Sequence, residues 1–400
     1  MNETFLDNID YSLCCGCSAC ADSCPVGAIS FSYGKDGAKY PAINKDVCIG
    51  CGKCRRVCPV VNKPETADPE FEKKAFALAI EPKKRRLESA SGGAFEAIAT
   101  VLHRQYADLM IAGAAWGDYL RVYHKLVSYD DSAVLKKSKY VQSNCEGIYV
   151  RVKEKLDEGL HVLFTGTPCQ LAALKKFLNK EYDNLFLVDI ICHGVPGENI
   201  FKKYLDELSV RKGTKAITAG FRQKKKDFYG EVHSKYIRVG FENGTEILEE
   251  AAVNPYLRGF HAGLFYRESC YSCRFANKNR YGDITIGDYW RIQELDKKLV
   301  DYSGVSCLLI NSEKGYELLD KIDGCRLVAT DVAALYKRNG QLLNPSKRNP
   351  KNEYFLSHFE EESFEKIMDN CVKREKRFKR ILSGIIPGGL KRGLKRILHR

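Results

Sequence analysis

The sequence predicts a mixed α/β protein, α+β overall, with a small N-terminal domain, a larger mixed α/β body and a basic C-terminal tail. Three observations support this prediction. Cysteine and glycine crowd residues 14–58. Apolar strand-like runs alternate with amphipathic helical patterns from residue 75 onward, which is typical of an α/β layer with a parallel sheet. Lysine and arginine crowd residues 371–400.

Length and composition indicate a globular protein of two or three domains. The 400 residues are 44% hydrophobic and 29% charged. No apolar run reaches the 18 or so residues of a membrane span, and the N-terminus lacks the pattern of a signal peptide. We therefore expect the high cysteine content, seventeen in all, to reflect metal ligation in a reducing cytoplasm and not disulfides.

The predicted domains are residues 1–62, a body at 75–345 and the tail at 371–400. A polar linker with two prolines, residues 60–74, joins the first two, and the body divides into parts at about 75–150 and 155–345. Within the body we predict strands at 75–80, 108–116, 281–290 and 304–312, a helix after the turn at 88–93, strand–turn–helix units at 162–178 and 185–208, and antiparallel strands at 216–250.

The N-terminal cysteines repeat one spacing twice, Cys-x2-Cys-x2-Cys-x3-Cys-Pro. This spacing is typical of a bacterial-type ferredoxin module, in which the fourth cysteine of each run ligates the other of two 4Fe–4S clusters. Paired zinc sites are the alternative, but they usually show two Cys-x2-Cys pairs. The extra Cys15 is an alternative ligand or, as we interpret it, a bystander. We predict one cluster on Cys14, Cys17, Cys20 and Cys58, and a second on Cys48, Cys51, Cys54 and Cys24.

Three segments of the body carry polar groups where ligands commonly bind. The Ser89–Gly93 turn precedes a helix, and its amides could hold a phosphate or simply form a tight packed turn. The segment "SKYVQS" offers Lys139, Gln142 and Ser143, which would otherwise be ordinary surface. The segment "TGTP" ends a strand, and ligands on open α/β sheets bind at such carboxyl ends.

Four further cysteines fall in equivalent or paired positions. Cys169 and Cys192 each follow one of two successive strands, and Cys270-x2-Cys273 needs two more ligands to complete a four-thiolate site. Alternatively, Cys169 and Cys192 are small buried hydrophobic residues and Cys270 and Cys273 form a separate thiol pair.

Several of these segments, in this order, resemble the coenzyme F420 hydrogenase/dehydrogenase beta-subunit family. They are the double cysteine pattern, "SGGAFEAIATVL", "KYVQS", "TGTPCQLAALKKFL", "DIICHGVPG" and "CYSCRFANKNRYGDITIGDYW", and the resemblance spans roughly residues 10–345. Members bind FAD and pass electrons between a two-electron partner and iron–sulfur clusters. The resemblance implies FAD contacts at Ser91, Gly92, Gly93, Lys139, Gln142, Ser143, Thr165 and Thr167. It also supports a third 4Fe–4S cluster on Cys169, Cys192, Cys270 and Cys273.

The function that follows is an FAD- and 4Fe–4S-dependent oxidoreductase. We expect hydride exchange between FAD and a small-molecule or deazaflavin partner, and single-electron exchange between FAD and the clusters. His193 is a candidate proton donor or a structural histidine. Lys139, Arg222 and Arg280 are candidates for holding an anionic substrate or stabilising reduced flavin. The alternatives are an electron-transfer subunit for a redox partner protein and an iron–sulfur redox sensor.

The tail carries eleven basic residues and one acidic residue in positions 371–400. After Pro387 its leucines and isoleucines fall on one helical face between basic residues, as in helices that lie on anionic membranes. Peripheral binding to the inner face of the membrane, docking to a partner subunit and a flexible tail all remain open. Nucleic-acid binding is less favoured because Phe378 is the tail's single aromatic residue.

Overall fold

The structure is a computed structural model that describes residues 9–81, 83–226, 232–294, 301 and 303–374. Most of the predicted basic tail, residues 375–400, lies outside the described residues. The described part confirms the predicted mixed α/β architecture, with a small N-terminal unit packed against a larger body.

The N-terminal unit repeats one short structural motif along with its cysteine spacing. Each run places its third cysteine in a one-turn helix, Cys20 in α1 (Ala19–Asp22) and Cys54 in α2 (Lys53–Arg56). Between the runs, β1 (Ile29–Tyr33) and β2 (Lys39–Ile43) form an antiparallel hairpin. The two cysteine runs therefore have matching local geometry.

The body is built on one eight-stranded mixed sheet. Its strand order is β13-β3-β12-β11-β7-β6-β4-β5. The strands are β3 (Lys74–Ile80), β4 (Met110–Trp116), β5 (Val122–Ser128), β6 (Val162–Gly166), β7 (Leu185–Ile190), β11 (Ile284–Asp288), β12 (Ser306–Ile310) and β13 (Cys325–Thr330). The central strands β11, β7, β6 and β4 are parallel, as predicted, and every strand outside them pairs antiparallel.

Helices cover both faces of the central strands. On one face, α5 (Ile148–Asp157) and α6 (Pro168–Leu178) pack on β6 and β7. On the other face lie α4 (Ala94–Gln105) and α9 (Glu313–Leu319). Both faces are buried, which explains why these strands read as continuous apolar runs and not as alternating ones.

A separate antiparallel sheet confirms the prediction for residues 216–250. It contains β8 (Ala216–Lys226), β9 (Val232–Phe241) and β10 (Glu246–Glu250). Its aromatic core is completed by helices α7 (Glu198–Lys212), α8 (Pro255–His261), α11 (Asn352–His358) and α12 (Phe364–Cys371). The remaining helices are α3 (Lys83–Leu87) and α10 (Val332–Arg338). Among the described residues, no helix is both long enough and apolar enough to cross a membrane.

The start of α6 fixes one important cysteine. Pro168 occupies the first turn, where its missing N–H costs nothing, and Thr167 and Gln170 form a reciprocal capping box. Cys169 is thereby held at the carboxyl end of β6. Cys192 follows the carboxyl end of the neighbouring strand β7.

Candidate redox site

The first predicted set of N-terminal cysteines lines one pocket. Cys14, Cys17, Cys20 and Cys58 all border it. Their thiols also interact electrostatically: Cys20 with Cys14 and Cys58, Cys17 with Cys20 and Cys58, and Cys58 with Cys14. Burial, reinforced by these neighbours, raises the pKa of the Cys20 and Cys58 thiols. Several thiols around one pocket form a donor set that fits an iron–sulfur cluster.

The second set lies nearer the surface. The Cys54 thiol interacts with those of Cys51 and Cys48, and burial raises its pKa. Cys51 is exposed, whereas every other cysteine of the chain is buried or half-buried. The Cys24 sulfur accepts a hydrogen bond from the Ala28 amide at 3.2 Å, and its place in this set stays a prediction.

The structure brings four cysteines of the body near one another, and their ligation of a third cluster stays a prediction; we name Cys169, Cys192, Cys270 and Cys273 the inner thiol set. Every pair among them interacts electrostatically. Burial and these neighbours raise the pKa of Cys192 to about 12 and that of Cys273 to about 11. Crowded thiols that resist ionisation would be stabilised as thiolates by a bound metal. This donor set therefore fits a cluster.

The thiol sets are not arranged as sites for a single metal ion in the described part of the chain. In the described part of the chain, no group of three or more His, Cys, Asp or Glu side chains could hold one metal ion. The ligands of one tetrahedral zinc lie within about 4 Å of each other, given a metal–sulfur distance of about 2.3 Å. A cubane spreads its four thiolates wider because each one binds a different iron.

A buried arginine connects the first set to the body. Arg267 is 0% exposed. Its guanidinium donates to the Cys14 carbonyl at 2.6 Å and to Gln142 Oε1 at 3.0 Å, and Nη2 lies 3.5 Å from Cys14 Sγ. It also lies 4.1 Å from the centroid of the Tyr40 ring. Although burial opposes the charge, the Cys14 thiol and the Tyr40 hydroxyl hold the pKa of Arg267 above its ordinary value.

Gln142 and Cys15 complete this junction. Gln142 Nε2 donates to the Cys15 carbonyl at 2.9 Å, so the predicted flavin contact binds the first cysteine run in this structure. The buried Cys15 thiol contacts both Cys17 and Cys169. The residue interpreted as a bystander thus lies between the first set and the inner thiol set.

A second buried arginine lies beside the inner thiol set. Arg280 Nη2 is 2.9 Å from Asp189 Oδ2, with the two side chains 1% and 0% exposed. Arg280 also interacts with the thiols of Cys192 and Cys273. Its positive charge partly offsets the rise in their pKa that burial causes. Because its charge is already paired with Asp189, Arg280 is poorly placed to hold a substrate.

The glycine turn predicted to contact FAD packs against the sheet. Ser91 Oγ donates to the Val305 carbonyl and the Gly92 amide donates to Ser306 Oγ, both at 2.9 Å. A Cβ on Gly92 would lie 2.1 Å from the Leu78 carbonyl oxygen, so only glycine fits there. Gly93, at a φ of 95°, begins helix α4. These contacts hold the turn in place, and its contact with FAD stays a prediction.

The remaining predicted FAD contacts also have partners within the chain. Lys139 Nζ donates to three successive carbonyls, at positions 134–136. Thr165 Oγ1 donates to the Ala112 carbonyl. Thr167 Oγ1 lies 3.1 Å from Cys169 Sγ, which places it beside the inner thiol set.

Ser143 belongs to a buried polar network. The His124 ring bridges Ser143 and strand β6. Its Nδ1 lies 2.8 Å from Ser143 Oγ, and its Nε2 lies 2.9 Å from the Thr165 carbonyl oxygen. Gln170 Nε2 donates to the same hydroxyl at 2.9 Å. Burial lowers the pKa of His124 to about 4, so its ring is neutral at pH 7. The network braces the carboxyl end of β6.

Cations gather where the glycine turn, β8 and the end of β11 meet. Arg222 Nη2 donates to Asp288 Oδ1 at 2.7 Å and to the Ala90 carbonyl at 2.9 Å. Lys224 Nζ donates to three backbone carbonyls of the described residues, among them that of Ser91 at 2.9 Å. Burial lowers the pKa of Lys224 to about 7 and that of Lys139 to about 7. We name Arg222 and Lys224 the cationic cluster; it fits an anionic ligand, because an anion would stabilise the charged amine of Lys224.

His193 lies on the side of this region that faces the inner thiol set. It follows Cys192 directly and is half-buried, and burial lowers its pKa. It interacts electrostatically with Asp288 and Arg222, as well as with His261. Beside it, Ile190 and Trp290 are 37% and 44% exposed at the carboxyl ends of β7 and β11. This edge of the sheet is open to a ligand.

Comparison with known proteins gives two family matches. Residues 159–333 match the family model for the C terminus of the coenzyme F420 hydrogenase/dehydrogenase beta subunit. Residues 13–62 match the 4Fe-4S dicluster domain. No curated protein matches the chain.

One solved structure that matches the chain belongs to the xenon-derivatised F420-reducing [NiFe] hydrogenase complex from Methanosarcina barkeri. The identity is 16% and the TM-score 0.43, over 71% of this chain and 98% of that one.

The two family matches confirm the predicted resemblance and the two-cluster N-terminal module. Together the two matches support a redox function in iron–sulfur electron transfer for this chain. The inner thiol set lies within the beta-subunit match, and the first and second sets lie within the dicluster match.

The buried polar residues around the thiols were not predictable from a sequence motif. Arg267, Asp189, His124 and Lys224 have no motif of their own. Arg267 stands three residues before Cys270, and Asp189 three residues before Cys192, so proximity to a predicted ligand was the one available signal.

Proposed function

We propose that the chain is an FAD-dependent iron–sulfur oxidoreductase that exchanges electrons between a small hydride donor or acceptor and its N-terminal clusters. The mutual proximity of the four thiols of the inner set is the observation that carries this proposal. That set lies within the family-matched body and in contact, through Cys15, with the first set.

The cationic cluster is the proposed seat of the anionic part of FAD. Arg222 and Lys224 bring two cations to a region where Asp288 is the paired carboxylate. The cluster adjoins the Ser91–Gly93 turn through the Lys224 contact with the Ser91 carbonyl. When bound, FAD would supply the conversion between two-electron hydride chemistry and single electrons.

The protein's own residues would orient and isolate the redox groups. The capping box of Thr167 and Gln170 fixes Cys169, and the paired Arg280 and Asp189 place a neutral, rigid unit beside Cys192 and Cys273. Arg267 holds the loop of Cys14 against the body. His193, between Cys192 and the open edge, is the proposed group for holding a proton near the substrate.

The substrate side of the proposal rests on the open carboxyl edge of β7 and β11. Ile190 and Trp290 expose apolar surface there, next to the polar group formed by His193, Arg222 and Asp288. An apolar platform with a few convergent polar groups suits a planar hydride donor or acceptor, a deazaflavin included.

Anaerobic purification followed by cofactor analysis and donor screening tests the proposal. We expect one FAD and about twelve irons per chain. We also expect bleaching of the flavin absorbance by at least one of reduced deazaflavin, NADH and NADPH. Iron without flavin would contradict the FAD assignment. Bound FAD that only reduced ferredoxin bleaches would instead indicate an electron-transfer subunit whose substrate binds a partner.

A further inference from the structure

We propose that the surface around the second set of cysteines is the docking site for an acidic one-electron carrier protein. The proposal rests on the proposed function, in that it requires the N-terminal clusters to exchange electrons with the body. It adds where those electrons enter or leave and what kind of partner delivers them.

The burial of the thiols gives the electron path a direction. The inner thiol set is buried or half-buried, and the first set contacts it through Cys15. The first set also lies near the second, since the thiols of Cys20 and Cys58 interact electrostatically with that of Cys54. Cys51, in the second set, is the exposed cysteine of the chain. The second set is therefore the end of the path that a protein partner can reach.

Apolar side chains are exposed around that end. Of the twelve exposed large hydrophobic side chains in the described part of the chain, six lie within residues 11–61. Val47 and Ile49, which flank Cys48, are 42% and 63% exposed, and Val26 and Val61, two and three residues beyond Cys24 and Cys58, are 39% and 44% exposed. Apolar groups concentrated on one small unit are typical of an interaction surface.

Basic residues are concentrated in the stretch of sequence that carries Val47, Ile49 and Val61. Positions 44–63 contain five basic residues and one acidic residue, Asp46. Lys53, Arg55 and Lys63 are exposed. An apolar centre within a basic rim complements an acidic partner, whose approach such charges accelerate. The transfer itself moves one electron, so that the reduced carrier is oxidised and the second cluster is reduced without making or breaking a bond.

The test measures electron transfer from a reduced acidic flavodoxin to the full-length protein by anaerobic stopped flow. Two variants probe the surface, Ile49→Asp and the double variant Arg55→Glu/Lys63→Glu. Two matched controls, Val210→Asp and Lys212→Glu, alter an exposed valine and an exposed lysine at the far end of α7. Iron content and reduction by dithionite are measured for every variant, to show that the clusters are intact.

We expect each surface variant to slow the second-order transfer about tenfold at low ionic strength, with wild-type iron content and dithionite reduction. Added salt should bring the transfer rate of Arg55→Glu/Lys63→Glu closer to that of the wild type. Both control variants should transfer electrons at the wild-type rate. Wild-type rates in both surface variants would overturn the proposal, as would equal slowing in the controls. The proposal would also be overturned if the surface variants lost binding to phosphatidylglycerol vesicles but still accepted electrons from flavodoxin at the wild-type rate.

The docking proposal and the proposed function can fail separately. A preparation without FAD whose flavodoxin transfer still depends on Ile49 and Arg55 would contradict the FAD assignment and support the docking surface. A preparation with FAD whose flavodoxin transfer is unchanged by the variants at Ile49 and Arg55 would support the FAD assignment and contradict the docking surface.

Discussion

The guanidinium of Arg267, fully buried, lies 3.5 Å from the sulfur of Cys14 and donates to that residue's carbonyl at 2.6 Å. One side chain thus contacts a predicted cluster ligand while belonging to the loop that carries Cys270. Hydrogen bonds and charge near the sulfurs are among the factors that set the potential of a cluster. Arg267 therefore joins the two cysteine-rich regions both structurally and electrostatically.

Replacing Arg267 with methionine should make the first cluster harder to reduce. A buried cation stabilises the additional negative charge of the reduced state, and a charge-assisted hydrogen bond is worth about 1.5–3 kcal/mol. The potential should fall by on the order of 60–130 mV, taking 59 mV per tenfold change for one electron. A redox titration followed by electron paramagnetic resonance measures this shift. Arg267→Lys, which keeps the charge, should restore part of it, and an unchanged potential in Arg267→Met would contradict the electrostatic role.

Gly16→Ala should destabilise the junction more than the same change elsewhere in the N-terminal unit. Gly16 has a φ of 65°, and an added Cβ would lie 2.5 Å from Arg267 Nη1 and 2.6 Å from Gln142 Nε2. Gly27, at a φ of 63°, has nothing within 4 Å of such a Cβ and is the matched control. Both variants incur about 1–2 kcal/mol of backbone strain, and Gly16→Ala should lose about 1–3 kcal/mol more from disturbed hydrogen bonds. Equal midpoints of denaturant unfolding would count against a tight junction.

Arg280→Met should destabilise the protein by about 3–5 kcal/mol, because it leaves the carboxylate of Asp189 buried without its partner. Burial raises the pKa of that carboxyl, so a lone Asp189 would take up a proton. The double variant Arg280→Met/Asp189→Leu should recover much of the loss. Urea unfolding of the wild type, Arg280→Met, Asp189→Leu and the double variant measures the coupling; additive effects would show that the pair is not coupled.

The affinity for FAD should fall as pH rises through about 7. Burial lowers the pKa of the Lys224 amine to about 7, and only its protonated form attracts a phosphate. Below pH 7 this amine is charged before the cofactor binds, whereas above pH 7 binding must bring in a proton. Fluorescence titration of deflavinated protein with FAD between pH 6 and 9 measures this trend.

Lys224→Met should weaken FAD binding about tenfold at pH 6 and flatten its pH dependence, since the titrating amine of the cationic cluster is lost. The neighbouring Lys225 is exposed, and Lys225→Met is the matched control. A wild-type pH profile in Lys224→Met would place the anionic group of the cofactor elsewhere.

The fold was predictable from the sequence where one physical pattern dominates. The apolar runs of β6 and β7 are buried on both faces, and the spacing that places Cys20 and Cys54 in equal one-turn helices is repeated in the sequence itself. The antiparallel pairing of β12 with β11 and β3 was not predictable, because buried strands look alike whichever way they run.

The candidate site was predictable in its sulfur ligands and not in its surroundings. Cysteine spacing and strand ends brought out the inner thiol set, whose members lie far apart in the sequence. The positions of Arg267 and Asp189 follow from three-dimensional packing, and a lone arginine or aspartate in the sequence is usually a surface residue. Gln142 was singled out as a polar donor, and packing gave it a partner in the N-terminal unit.

Iron analysis of Cys169→Ser, beside the wild type and the control Cys371→Ser, tests the inner thiol set most directly. Cys371 is half-buried at the end of α12, outside all three sets. We expect about twelve irons in the wild type and the control, and about eight in Cys169→Ser with the signals of the two N-terminal clusters retained. Equal iron in all three proteins would contradict a third cluster on the inner thiol set and leave Cys169 as a buried packing residue.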